Sequence, residues 1–257
     1  MKKRVISAIV ALAIFIPLIA LGGIYFRIAV SVLAVIGMRE FLNLSSNKKR
    51  PKYVDFIFYV LVLLLTFLDT NKQTYYLLTL LVPMLAVIYC NNNDKYNADD
   101  AFKYIGMSML IGTVFNFVIS IRNENIWLFV YLFLITSITD TYAHLGGSLI
   151  GKHKLAPKIS PNKTWEGSVI GGIFGTLCAS VFYYIVINSN VNILGLLLVT
   201  LFLSCLGQLG DLFFSAVKRN HKIKDFSNLM PGHGGVLDRL DSIIFVVIGY
   251  IILSGII

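Results

Sequence analysis

Charge is what this sequence has least of. Only 14% of its 257 residues are Asp, Glu, Lys or Arg, while 57% are hydrophobic; a soluble domain carries about 25% charged residues. That shortage excludes a chain that hides its apolar residues in one soluble core. With a mean hydropathy of +0.78, the class is a polytopic membrane protein. Cysteine is scarce too. Cys90, Cys178 and Cys205 stand far apart in apolar runs, with no CxxC pair and no disulfide framework, and read as buried small hydrophobes. The four histidines, His144, His153, His221 and His233, are scattered and form no HExxH, which disfavours zinc. A GxxxxGK[ST] loop, a GxSxG elbow, an internal repeat, a low-complexity tract and a linker are all absent.

What is there is grease in long runs. Apolar stretches of bilayer-spanning length fall near 5–21, 24–44, 54–70, 74–90, 101–121, 126–149, 166–188, 192–217 and 241–257. The fold expected is all-α: a polytopic helical bundle of about nine transmembrane helices. The first two runs are parted only by Gly22-Gly23, a tight hairpin. MKKR ahead of the first run, with no A-x-A-like site after it, reads as an uncleaved span and not a signal peptide. Loop charge sets orientation. With the N-terminus cytoplasmic, the inner segments hold Lys2-Lys-Arg4, Lys48-Lys-Arg-Pro-Lys52, Lys152, Lys154, Lys158, Lys163 and the cations after residue 217, while the outer loops hold little beyond Lys72 and Arg122. Polar residues gather late in the chain, so the reading is a scaffold half, 1–125, and a catalytic half, 126–257.

The polar residues carry the chemistry. Asp140 lies within an apolar run, where a bare carboxylate costs about 2.5–3.5 kcal/mol on insertion scales. Either an interhelical hydrogen bond satisfies it, or it faces a metal site or substrate cavity. The loop 151–167 has Pro157 and Pro161, which bar continuous helix, and Asn162 or Thr164 can cap the next span. Asn162, Lys163 and Glu166 crowd there more closely than topology alone requires. Gly167, Gly171 and Gly175 form a small-xxx-small face for tight packing. Further on, Gln208, Asp211, Ser215 and Lys218 share one helical face. A basic patch follows (Lys218, Arg219, Lys222, Lys224), then Pro231-Gly-His-Gly-Gly235, a turn whose N–H groups suit phosphate oxygens. Asp238 and Asp241 come next, three apart. Membrane-level carboxylates with cations and a glycine turn match Mg²⁺-assisted phosphoryl or nucleotidyl transfer: Mg²⁺ takes carboxylate, phosphate and water oxygens, paired metals clamp attacking and leaving oxygens, and cations neutralise the transferred group.

The stretch Ser215-Ala-Val-Lys-Arg-Asn-His-Lys-Ile-Lys-Asp225 followed by His233-Gly-Gly-Val-Leu-Asp-Arg-Leu-Asp241 closely resembles the S-x-x-K-R-x4-K-D and H-G-G-x-x-D-R-x-D signature of the phosphatidate cytidylyltransferases, the CDP-diacylglycerol synthases. Gly207-Gln-Leu-Gly-Asp-Leu212 and the loop 154–167 look like that family as well. After Asp140 the family pattern is nearer D-x-G-A-Y; here it reads Asp140-Thr-Tyr-Ala-His144.

The resemblance implies an enzyme that joins CTP and phosphatidic acid to give CDP-diacylglycerol and pyrophosphate, an early step of phospholipid synthesis. It implies Mg²⁺, with two divalent sites expected. By motif position Asp211 and Asp238 become metal carboxylates with Asp140, and Asp241 supports them. Lys218, Arg219 and Lys224 hold phosphates, with Ser215 and Arg239 beside them. His233, Gly234 and Gly235 shape the nucleotide loop, and Asn162, Lys163 and Glu166 close the pocket. The setting implied is the cytoplasmic membrane, multi-pass, with the site facing the cytoplasm and no nucleic acid as partner. Scaffold and homodimer face are both open to the first half. A CDP-alcohol phosphotransferase would need a DGxxAR…GxxxDxxxD run, which is absent, and the full H-G-G-x-x-D-R-x-D segment argues against a CTP-using polyprenol kinase. A transporter would show symmetric halves with broken helices.

Overall fold

The computed structural model describes residues 13–44, 51–68, 81, 96–230, 232 and 234–254. Its helices are α1 (Gly23–Asn43), α2 (Lys52–Phe67), α3 (Ala98–Glu124), α4 (Ile126–Ile150), α5 (Trp165–Val186), α6 (Ile193–Asn220) and α7 (Leu237–Leu253), with strands β1 (Lys154–Ala156) and β2 (Ser160–Thr164) between α4 and α5. A further helical stretch covers 13–21. The fold is helical, as expected, and four described helices, α3 to α6, are long and apolar enough to cross a membrane. The chain is an integral membrane protein. The run at 74–90 and the start of the first run lie outside the described residues, apart from Leu81.

The chain divides into two compact units: Met1–Asn123 with Asp225–Leu237, and Glu124–Lys224 with Asp238–Ile257. The first therefore includes the glycine turn of the motif-rich end.

In the first unit, Gly22 and Gly23 break the helix at positive φ (65° and 53°). The carbonyls left open at the break accept from Arg122: its Nε reaches Ile19 O at 2.7 Å and Nη2 reaches Ala20 O at 2.9 Å, a cation on a helix C-terminus. A side chain at Gly22 would run into that guanidinium. Ser31 Oγ donates to Thr66 Oγ1 (2.9 Å), tying α1 to α2. Asn116 Nδ2 donates to Leu65 O and Leu68 O, closing the end of α2. Phe58, Tyr96 and Tyr104 pack in the core, with Phe58 and Tyr104 edge to face at 5.6 Å.

The first half also holds a buried charge, Glu40. It is a carboxylate only 4% exposed in α1, so polar chemistry does not wait for the second half of the chain.

In the second unit α4 packs along α5 and α5 along α6. Thr164 caps α5, its hydroxyl accepting from Gly167 N at 3.1 Å, and Asn125 and Asn192 cap α4 and α6. The glycine face does what its spacing predicts. A Cβ at Gly171 would lie 2.5 Å from the Thr139 carbonyl, and one at Gly167 or Gly175 would strike Ala143 O or Thr139 Oγ1. Backbones that close give van der Waals contact without a hydrophobic drive, the mode suited to lipid. Thr139 Oγ1 and Ser204 Oγ meet at 2.7 Å, and Tyr131 Oη and Thr200 Oγ1 at 2.7 Å, tying α4 to α6.

Cys178 and Cys205 are exposed, not buried. On these helices the apolar face turns outward, with Leu209 54% and Phe213 43% exposed on α6, so an apolar residue is no guide to the interior. Cys90 lies outside the described residues.

Candidate active site

Lysine-rich and proline-bearing, residues 151–167 fold as an antiparallel hairpin that pairs Lys154 with Thr164 and Ala156 with Ser160. That pairing carries His153 to the first turn of α5. His153 N–H donates to both Glu166 oxygens at 3.2 Å, and its ring Nδ1 lies 2.6 Å from Oε1. Glu166, expected to close a substrate pocket, is thus taken up in fastening the hairpin. The hairpin in turn presents Lys163 from β2, whose Nζ lies 2.5 Å from Asp211 Oδ2 on α6. Asn162 is exposed on the same strand.

The polar face of α6 points inward. Gln208, Ser215 and Lys218 are buried and Asp211 is half-buried. Ser215 Oγ donates to Asp211 Oδ1 at 3.2 Å, the one-turn spacing of an i, i+4 pair. Gln208 Oε1 accepts from Ser168 Oγ and its amide donates to Ser168 O, across to α5. Two turns after Asp211, Lys218 Nζ meets Asp238 Oδ1 at 2.7 Å, with only 9% and 4% of their side chains exposed. Both charges of this pair have left water. Such a pair needs close geometry to offset desolvation.

Asp140, Asp211 and Asp241 each lie within electrostatic range of the other two, with Lys163 acting on Asp140 and Lys218 on Asp241. Ser242 joins them: its Oγ donates to Asp140 Oδ2 at 3.4 Å and its N–H to Asp241 Oδ1 at 2.8 Å. Among the described residues no three acids, histidines or cysteines gather closely enough to hold a metal by themselves. The donors here are all carboxylate oxygens, hard ligands whose like charges act on one another. They fit a cation such as Mg²⁺, which completes its shell with phosphate and water oxygens. They do not fit a caged metal.

The other expected residues spread out. Arg219 is exposed and engaged with backbone: Nε donates to Ile159 O (3.2 Å) at the hairpin turn and Nη1 to Ile223 O (2.8 Å). Lys224 and Arg239 are exposed, Arg239 in the first turn of α7. Gly234 and Gly235 belong to the first unit. His233 lies outside the described residues.

A family model described as the cytidylyltransferase family matches residues 2–257. The chain belongs to this cytidylyltransferase family. It is 37% identical over 250 residues to a phosphatidate cytidylyltransferase of Staphylococcus aureus (strain COL), with 96% of each chain covered. It is 38% identical over 253 residues to one of Staphylococcus haemolyticus (strain JCSC1435), again with 96% of each covered, and 36% identical over 250 residues to one of Staphylococcus epidermidis (strain ATCC 35984), also at 96% of each.

Three residues of the site carry no motif in the sequence: Ser168, Ser242 and, as the partner of Glu166, His153. The strongest signal was available for Ser242, which follows Asp241 directly and so shares the first turns of α7. Ser168 had only its place in the first turn of α5, and His153 needed the hairpin register.

Proposed function

We propose that this chain is a CTP-dependent membrane nucleotidyltransferase that joins CTP and phosphatidic acid into CDP-diacylglycerol and pyrophosphate. The observation that carries it is the meeting, in one unit of membrane-length helices, of Asp140, Asp211 and Asp241 with Lys163 and Lys218. The activity named for the staphylococcal relatives supplies the nucleotide and the lipid.

A phosphate oxygen of phosphatidic acid attacks the α-phosphorus of CTP. The new P–O bond forms as the bond to the bridging oxygen breaks, and pyrophosphate leaves with that electron pair. The attacking oxygen is already ionised, so the protein need not supply a strong base. Its work is to place two anions together and neutralise them. Lys163 and Lys218, held by Asp211 and Asp238, are the cations at hand, with Lys224 and Arg239 outward of them. Arg219 holds the hairpin turn and keeps further N–H groups for a phosphate. Ser215 orients Asp211. Mg²⁺, when bound, supplies charge neutralisation on the phosphates. Asp140, Asp211 and Asp238 would hold it with Asp241 in support, Asp238 only after release by Lys218.

Nine spans, a cytoplasmic N-terminus and a site opening on the cytoplasmic face of the cytoplasmic membrane belong to the same reading, supported by the lysines gathered in 151–167 and 218–224. A homodimer is the oligomer it allows, and light scattering in detergent decides between dimer and monomer.

Purified protein in detergent, given phosphatidic acid, Mg²⁺ and labelled CTP, should form lipid-linked cytidine and pyrophosphate one for one. No labelled lipid would sink the reading, and label on a polyprenol would favour a kinase.

A further inference from the structure

Glu40 accepts three hydrogen bonds within the first unit, and the transfer reaction does not use it. It sits near the end of α1, 4% exposed. A carboxylate so placed is costly unless hydrogen bonds replace its water. Three donors do so. Ser227 Oγ donates to Oε1 at 2.6 Å, Val236 N–H to Oε1 at 2.9 Å and Leu237 N–H to Oε2 at 3.0 Å. All four residues belong to the first unit.

Those two N–H groups identify the task. Leu237 is the first residue of α7, and the opening N–H groups of a helix have no partner within it. Val236, just before, has no side-chain acceptor to serve as a cap. Glu40 therefore caps α7 from α1, placing a negative charge on the positive end of the helix. The surroundings are cut to admit it. A Cβ at Gly235 would collide with the Glu40 carboxylate, and one turn back on α1 a Cβ at Gly37 would sit 3.1 Å from Leu237 Cδ2. Gly232 and Gly234 take positive φ (82° and 81°), and Met230 N–H donates to Gly234 O at 3.0 Å. Phe226, Val236 and Leu237 are buried. The glycine turn is clasped, and the clasp is Glu40.

We propose that Glu40 is a positioning residue for the transfer reaction: it fixes where α7 begins, and with that the direction in which Asp238 and Asp241 project. Successive residues on a helix turn by about 100°, so a start displaced by one residue would swing both acids away from Lys218 and Asp211. The proposal rests on the transfer reading for its kinetic part and on the clasp alone for its structural part.

The test compares the full-length parent with Glu40→Gln, reading steady-state kinetics and amide hydrogen exchange. Glutamine keeps the size but turns an N–H₂ toward donors. Exchange at Val236 and Leu237 should accelerate at least tenfold, and kcat per folded molecule should fall at least tenfold with KM for CTP within about threefold. Glu40→Asp, which keeps the charge on a shorter arm, should recover part of the kcat. Faster exchange with kcat within twofold of the parent overturns the positioning role; unchanged exchange overturns the clasp. A merely structural residue would lose folded protein, with kcat intact in what remains. Should Glu40→Gln not fold, Ser227→Ala, which removes one donor and leaves the charge, should lower kcat two- to threefold with faster exchange at 236–237; no change in either overturns the proposal. A parent that makes no lipid-linked cytidine would remove the transfer reading, while the exchange still reports on the clasp.

Discussion

The two units hold carboxylates of opposite character: Glu40 is buried, whereas Asp211 and Asp241 are half-buried and Asp140 is exposed. Glu40, in the first, accepts from one hydroxyl and two backbone N–H groups and meets no cation in those three bonds. Asp140, Asp211 and Asp241, in the second, lie within electrostatic range of one another, and their bonds come from Lys163, the Ser215 and Ser242 hydroxyls and the Ser242 N–H. The first acid is finished: two of its three donors are fixed backbone, and a ligand has nothing to add. The others are unfinished. Like charges at close range store an attraction for any cation that arrives, and lysine partners can turn to a phosphate. Burial alone does not mark an active-site carboxylate; the nature of its partners does.

The sharpest way to break this contrast is Asp211→Asn. Asp211 and Lys163 keep 28% and 25% of their side chains exposed, and a pair so wet is worth about 0–1 kcal/mol. The melting temperature in detergent should hardly move while turnover falls about a thousandfold or more, the scale set by losing preorganised charge. Chelation of divalent ions in the parent should stop turnover equally, with recovery on added Mg²⁺. Turnover retained in Asp211→Asn would put that acid in the same class as Glu40.

Asp238→Asn comes second because it should do both things. Asp238 pairs with Lys218 out of water, and leaving one member of a buried pair alone costs about 3–5 kcal/mol. Turnover should fall at least a hundredfold and the melting temperature should drop visibly. Adding Lys218→Met, which removes the stranded charge, should restore the melting temperature without restoring turnover. If activity returned with stability, the pair would be structural and Asp238 would leave the site. Third and smaller, Lys218→Ala should raise KM for CTP or lipid about tenfold; unchanged KM and kcat would refute its phosphate role.

Local features were legible in the sequence. The run at 24–44 became α1 (Gly23–Asn43), and that at 192–217 became α6 (Ile193–Asn220), because apolar length and, for α6, the Asn192 cap act within a few residues. The inward face of Gln208, Asp211, Ser215 and Lys218 was legible for the same reason, since helical period alone fixes it. What failed was long-range. The last span was placed from residue 241, whereas α7 opens at Leu237 because Glu40 caps it from the other end of the chain. The hairpin at 154–164 shows no alternation of apolar and polar residues, and its register depends on Glu166 and Arg219. Glu40 itself was passed over inside a greasy run, although the rule that singled out Asp140, a charge within an apolar helix, applies to both.

The smallest effect expected is the one that sets the two kinds of acid on a side of the membrane. Lys154 is exposed on β1, on the hairpin that carries Lys163, and its side chain enters none of the contacts argued for transfer. Lys154→Cys should therefore keep turnover within twofold of the parent. Made in a background without the native cysteines, it should react with a membrane-impermeant maleimide only from the cytoplasmic side. In the proposed orientation the lysines of 151–167 put the hairpin on that side by the positive-inside tendency, and a water-soluble nucleotide would reach the unfinished acids by that route. Labelling from outside would overturn the orientation and leave Lys163 and Asp211 facing a compartment without nucleotide. Labelling from neither face would mean that the hairpin is covered, and the site would need another entrance.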